Sequence, residues 1–103
     1  MDYKLKISEP AYEDLDEILT YIVNELCAPE AAARFANAVE DCYNRLKRNP
    51  LMYASADMSE LAEKDYRRAP VKNHLILYKV NEATKVVYIH RIFYGARNYI
   101  ELI

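Results

Sequence analysis

The hydrophobic period of this chain changes partway along it, and that change limits the folds open to it. Between residues 11 and 46 apolar side chains recur at three- and four-residue steps, whereas beyond residue 66 they fall into short runs rich in Val, Ile and Tyr. The first pattern is that of amphipathic helices and the second that of strands. Ala11, Leu15, Ile18, Leu19, Ile22 and Leu26 form one helical stripe, leaving Glu13, Asp14, Glu17, Asn24 and Glu25 toward water. Ser8, standing before Glu9-Pro10, predicts where this helix starts. Its hydroxyl is suited to cap a free backbone N–H, and a proline in the first turn lacks only an N–H that would have no helical partner.

Pro29 interrupts the stripe, and a second one runs through Ala32, Phe35, Ala36, Val39, Cys42, Tyr43 and Leu46 to a stop at Asn49-Pro50. So short a connection predicts an antiparallel helical hairpin, with Ala32, Ala36 and Ala38 permitting close approach. Residues 2–7 alternate, with Tyr3, Leu5 and Ile7 on one side and Lys4 and Lys6 on the other, as in a half-buried strand. Residues 50–65 show no clean period and read as a loop with at most one helical turn. Three β-rich runs follow, at residues 66–72, 74–80 and 85–94, separated by breaks short enough for hairpin turns.

The last run, VVYIHRIFY, is apolar on both alternating faces, which suits a central strand better than an edge. Gly95 ends it, and residues 96–103 read as a short tail. The expected order is strand, helix, helix, then a three-stranded antiparallel meander. This is an α+β fold in a single domain over residues 1–103, with helices on one face of the sheet and the other face open. Leu15, Ile22, Phe35, Val39 and Leu46 should be buried together between the helix pair and the sheet.

With 103 residues, 52% of them hydrophobic, the chain has apolar mass for one core. Its formal charge of -2 argues against a general nucleic-acid binder. That average conceals a division. Residues 8–30 hold Glu9, Glu13, Asp14, Asp16, Glu17, Glu25 and Glu30 with no Lys or Arg; residues 66–99 hold Arg67, Arg68, Lys72, Lys79, Lys85, Arg91 and Arg97 against Glu82 alone. An acidic helix and a basic sheet therefore share one small molecule. Cys27 and Cys42 lie in segments that read as helical, outside any C-x-x-C pair, and are expected to be half-buried thiols. No metal or other cofactor is expected. MDYKLKIS has no signal-peptide apolar stretch, and no run approaches the roughly 18 apolar residues of a membrane span. The cytoplasm is the expected compartment, with no membrane partner.

Strand alternation sets Arg67, Ala69 and Val71 toward the core and Tyr66, Arg68, Pro70 and Lys72 toward the open face. In the last strand the alternation assigns neither His90 nor Arg91 to a face. With Arg97 and Tyr99 just beyond, the candidate cluster is Arg68, Lys72, His90 or Arg91, Arg97 and Tyr99. Guanidinium forks bind phosphate or carboxylate bidentately, and tyrosines stack on bases or line protein interfaces. The plainer alternative is that these bases solubilise a sheet face and pair with the acids of the first helix. His74 and His90 have no Ser, Asp or Glu at a spacing that makes a triad, and a structural role is expected for each.

The segments EPAYEDLDEILTYI, PEAAARFANAVEDCYNRLKRNP, YRRAPVKNHLILYKV and VVYIHRIFYGARNY resemble, in order and spacing, the successive blocks of the RelE/ParE toxin superfamily. The resemblance runs nearly end to end and is weakest over residues 51–65. It implies the same strand, helix-pair and meander fold, and a partner: an antitoxin whose C-terminal segment wraps the toxin and holds it inactive. It implies one of two targets, since the RelE-like branch cleaves messenger RNA on the ribosome and the ParE-like branch inhibits DNA gyrase.

In the RelE-like branch an arginine usually stands where this chain has Leu75, and lysines follow the second helix where it has Leu51-Met52-Tyr53-Ala54. Arg97 in YGAR does match that branch's arginine after the last strand, and Tyr99 matches its later tyrosine loosely. Cleavage by 2′-hydroxyl attack needs a base, an acid and stabilisation of a charged phosphorane. The resemblance thus favours a ParE-like inhibitor without catalytic residues, meeting its target through Arg68, Lys72, Arg91, Arg97 and Tyr99. The alternatives are a ribosome-dependent endoribonuclease using Arg68, His90, Arg97 and Tyr99, and a degenerate member that binds antitoxin without toxicity.

Overall fold

The computed structural model describes residues 2–53 and 65–95. Their order is β1 (Lys4–Ile7), α1 (Glu9–Asn24), α2 (Pro29–Arg48), a 3-10 turn (Pro50–Met52), β2 (Arg67–Val71), β3 (His74–Asn81) and β4 (Val86–Tyr94). The helical hairpin and the β2–β3–β4 meander are as the periodicity predicts. What the local pattern does not show is where β1 goes. It pairs in parallel with β4, from Lys4 against Val86 to Ile7 against Ile89, giving a mixed sheet of order β1-β4-β3-β2. A parallel pair needs a long crossover, and the helical hairpin is part of it. β4 is thus central, in keeping with its two apolar faces.

Ser8 joins β1, α1 and β4 at one point. Its backbone N–H donates to the Ile89 carbonyl at 3.0 Å, continuing the parallel ladder. Its hydroxyl donates to the His90 carbonyl at 2.7 Å and accepts from the Ala11 N–H at 3.1 Å, capping α1. Pro10 lies in the first turn, as expected. α1 ends sooner than its apolar stripe suggests: Glu25 is the C-cap, so Leu26 falls outside the helix and is 56% exposed. Cys27 follows in the left-handed region, at φ 50°, and is exposed. The expectation of a half-buried helical thiol is corrected there, because the chain reverses at that residue; Cys42, on the inner face of α2, is buried.

The core lies between the helix pair and the sheet. Phe35, Val39, Cys42 and Leu46 of α2 meet Ala69, Val71, Ile76, Tyr78, Val87, Ile89 and Ile92 of the sheet. Leu15, Ile18, Leu19 and Ile22 of α1 are partly buried against the same cluster. Each fully buried aliphatic or aromatic side chain contributes about 1.5–3 kcal/mol relative to exposure, so this cluster is the main source of stability. Tyr78 is fully buried and its hydroxyl donates to the Pro50 carbonyl at 2.6 Å, fixing the 3-10 turn to β3. Burial keeps that phenol protonated far above the ordinary tyrosine range.

The second face of the sheet is not simply open. Tyr66, Leu77 and Phe93 are buried and lie outside the helix-side cluster, so this face carries an apolar patch of its own. A register shift between Leu77 and Tyr78 explains why alternation fails in β4: Leu77 pairs with Arg91 and Tyr78 with Ile89, leaving His90 as the extra, bulged residue. Ile89 and Ile92, three apart, therefore both face the core. Among the described residues no helix is long and apolar enough to cross a membrane.

Candidate functional site

The structure brings together only part of the cluster that the sequence suggests. Arg68 pairs with Leu77, and Tyr66, two residues earlier on the same face, packs against the His90 ring with centroids 5.1 Å apart. The structure thus brings Arg68 and His90 to one face, the one away from the helices. Lys72 is elsewhere. It occupies the two-residue turn between β2 and β3 at φ 55° and lines a groove on the helix side, because strand alternation stops where the turn begins. Its placement on the open face is corrected accordingly.

Arg91 also serves inside the molecule. Its Nε and second guanidinium nitrogen donate to the two oxygens of Asp14 at 2.7 and 2.8 Å, and Asp14 accepts from the Ile92 N–H at 3.0 Å as well. The reason is geometric: β1 stops at Ile7, so the outer N–H groups of β4 beyond it have no strand partner, and Asp14 of α1 takes that place. The ion pair is three-quarters or more buried on both sides. This is the plainer alternative realised, a sheet base paired with an acid of the first helix, and it corrects Arg91 as a free target contact. Arg97 and Tyr99 lie outside the described residues.

The face away from the helices carries a row that sequence reasoning missed. Lys6, Tyr88 and Lys79 are cross-strand partners over β1, β4 and β3. Lys6 Nζ sits 5.9 Å from the centroid of Tyr88, and Lys79 Nζ sits 4.4 Å from that of Tyr66, so cation and ring alternate along the row. Tyr88 is 41% exposed. Burial raises the Tyr66 phenol above its ordinary 10. The residues were visible singly, but only the register places them side by side. Arg68 extends this surface toward the hairpin, where the next row is apolar: Pro70, Leu75 and Phe93.

Such a surface offers positive charge and aromatic edges, suited to carboxylates or phosphates of a partner. No group of three His, Cys, Asp or Glu side chains is arranged to hold a metal ion among the described residues. The other histidine, His74, is enclosed between Phe35 and Tyr94, with ring centroids 4.9 and 5.7 Å away, and its Nδ1 is buried without a hydrogen-bond partner among the described residues. Burial lowers its pKa below 6.5.

Several solved structures share this arrangement. A chromosomal ParDE toxin–antitoxin system from P. aeruginosa aligns at TM-score 0.70 and 21% identity, over 89% of this chain and 95% of that one. A doubly substituted E. coli toxin RelE in the free state aligns at TM-score 0.69 and 12% identity, over 98% and 92%. The RelBE2 toxin–antitoxin complex from Mycobacterium tuberculosis aligns at TM-score 0.65 and 19% identity, over 91% and 99%. At these identities the likeness is one of fold. No curated protein matches the sequence. The family model for the ParE toxin of the type II toxin–antitoxin system, parDE, matches residues 5–99. Spanning every element from β1 to β4, that match means that the chain belongs to the ParE toxin family of type II toxin–antitoxin systems.

Proposed function

We propose that this protein is the toxin of a type II pair in the cytoplasm, that its antitoxin neutralises it by covering apolar grooves and part of the basic sheet, and that it arrests growth by contacting DNA gyrase without catalysis. The family match over residues 5–99 carries the reading. Solved relatives described as complexes, the RelBE2 pair and an archaeal RelE–RelB complex from Pyrococcus horikoshii OT3, support an antitoxin partner. The apolar row Pro70–Leu75–Phe93 supports contact over catalysis, because the strand position of Leu75 offers no cation to a scissile phosphate. Target contact falls to Arg68, Lys6, Lys79 and Tyr88 on the sheet, with Arg97 and Tyr99 following β4 in the sequence.

Induced expression should arrest growth and relax chromosomal DNA, and co-expression of the adjacent reading frame should restore both. Harmless expression with no copurifying partner would contradict the toxin reading. The placement of His90 and Arg68 on one face favours a second reading, ribosome-dependent cleavage of messenger RNA with Arg97 and Tyr99 completing the site. In that case Arg97→Ala should lower cleavage in a translating extract by roughly 100- to 1000-fold, as lost transition-state donors do. An extract whose messenger stays intact removes this second reading.

A further inference from the structure

On the helix side, away from the cation–aromatic row, a groove of about 770 Å³ lies between α1, α2 and the β2–β3 turn. Small-molecule sites occupy roughly 300–1,000 Å³, are mostly apolar, and carry a few polar groups that orient the ligand. The groove has both the size and the composition. Ile18 and Ile22 of α1 and Phe35 of α2 supply apolar surface, and Tyr21 and Tyr94 bring two further rings. His74 is also in the lining, its ring set between those of Phe35 and Tyr94. Burial lowers its pKa below 6.5, so the imidazole is neutral at neutral pH and adds no charge.

The charges of the lining are unequal in sign. Arg34 and Lys72 are cationic, and Glu17 is the only acid among the described residues that line the groove. Glu17 also lies in the field of Arg91 on β4, which offsets part of its charge. Among the described residues neither Arg34 nor Lys72 has an ion-pair partner. Two cations against one acid leave the groove with net positive charge beside apolar surface. Lys72 carries a second, independent sign. It occupies the first position of the two-residue turn at φ 55°, where glycine is the unstrained choice. Strain of this kind persists at ligand clamps, and a lysine held there at a conformational cost points to a use for its ammonium.

From this arrangement we infer that the groove is a binding site for a small amphipathic organic anion, a monocarboxylate with an aliphatic or aryl body. The carboxylate meets Arg34 and Lys72, and the body lies on Ile18, Ile22 and Phe35. A single negative charge matches the surplus of one cation in the lining. The site stands on the groove alone and does not depend on the toxin reading.

Calorimetric titration of the full chain with decanoate tests it, beside decyltrimethylammonium, which keeps the apolar body but reverses the charge, and acetate, which keeps the carboxylate without the body. Decanoate should bind at least about tenfold more tightly than decyltrimethylammonium and weaken as salt is raised, and acetate should not bind measurably. Lys72→Gly removes the ammonium and relieves the turn, so it should weaken decanoate about tenfold, the scale of a lost charge-assisted hydrogen bond, while melting no lower than wild type. Arg34 is exposed on α2, and Arg34→Gln should weaken decanoate likewise without disturbing the turn. Glu17→Gln should tighten decanoate, and Tyr21→Ala should weaken both decyl probes. Absence of decanoate binding, equal affinity for the two decyl probes, or decanoate affinity unchanged by both Lys72→Gly and Arg34→Gln overturns the inference.

Discussion

At the scale of single residues, three side chains do work that their types alone do not announce. Asp14 looks like one of many solvated acids on α1, yet it holds Arg91 and the Ile92 N–H together. Asp14→Ala should therefore cost about 1–3 kcal/mol, well above the value of an exposed surface pair, because it leaves a largely enclosed guanidinium and a backbone donor unsatisfied. A urea titration reading less than a few tenths of a kcal/mol would show the pair to be superficial. Tyr78→Phe should cost about 1–2 kcal/mol by orphaning the Pro50 carbonyl, with the core otherwise intact. His74 makes a pH prediction. Its folded-state pKa lies below its unfolded value of 6.5, so between those two values the unfolded chain binds more protons. This group's contribution to stability is complete above 6.5 and declines as pH falls toward the folded value. His74→Phe, which keeps the ring contacts to Phe35 and Tyr94, should flatten that part of the stability profile relative to wild type.

At the scale of elements, the helices were legible because their stripes are long and their boundary residues specific. Ser8, Pro10, Pro29 and Asn49-Pro50 each mark an end by a backbone mechanism, and the structure uses all of them. Phe35, at the centre of the α2 stripe and 5% exposed, gives the corresponding prediction: Phe35→Ala should destabilise by about 3–5 kcal/mol. The strands were legible as runs but not as a sheet. Parallel pairing of β1 with β4 joins residues some 80 positions apart, and no local pattern records such a contact. The bulge at His90 moved every later side chain of β4 by one position, which is why Arg91 was unassignable. The β2–β3 turn is strained for a related reason. A positive φ at its first position favours glycine, and Lys72 supplies a side chain instead. Lys72→Gly should raise stability by about 0.5–1 kcal/mol; a loss of stability would mean that the lysine side chain holds the turn in place.

At the scale of the whole molecule, the acidic helix and the basic sheet seen in the sequence become two distinct surfaces. The sheet surface carries Lys6, Tyr88, Lys79 and Arg68, and the helix surface borders a separate apolar groove. Of the residues first suggested for target contact, Arg68 keeps a place on the sheet surface, Lys72 moves to the groove and Arg91 is taken by Asp14. The reassignment follows from a turn and a bulge, two features that break the period-two rule on which a strand face is read. Two distinct surfaces suit the proposed meeting with both an inhibitor and a target, and contact rather than catalysis is the central claim of that proposal. Plasmid supercoiling by purified gyrase, titrated with the purified toxin, tests it most directly. The account predicts that supercoiling fails as toxin approaches stoichiometry with gyrase, and that Lys6→Glu with Lys79→Glu shifts the curve to higher toxin concentration by at least about tenfold. Unimpaired supercoiling at a large excess of toxin would contradict it.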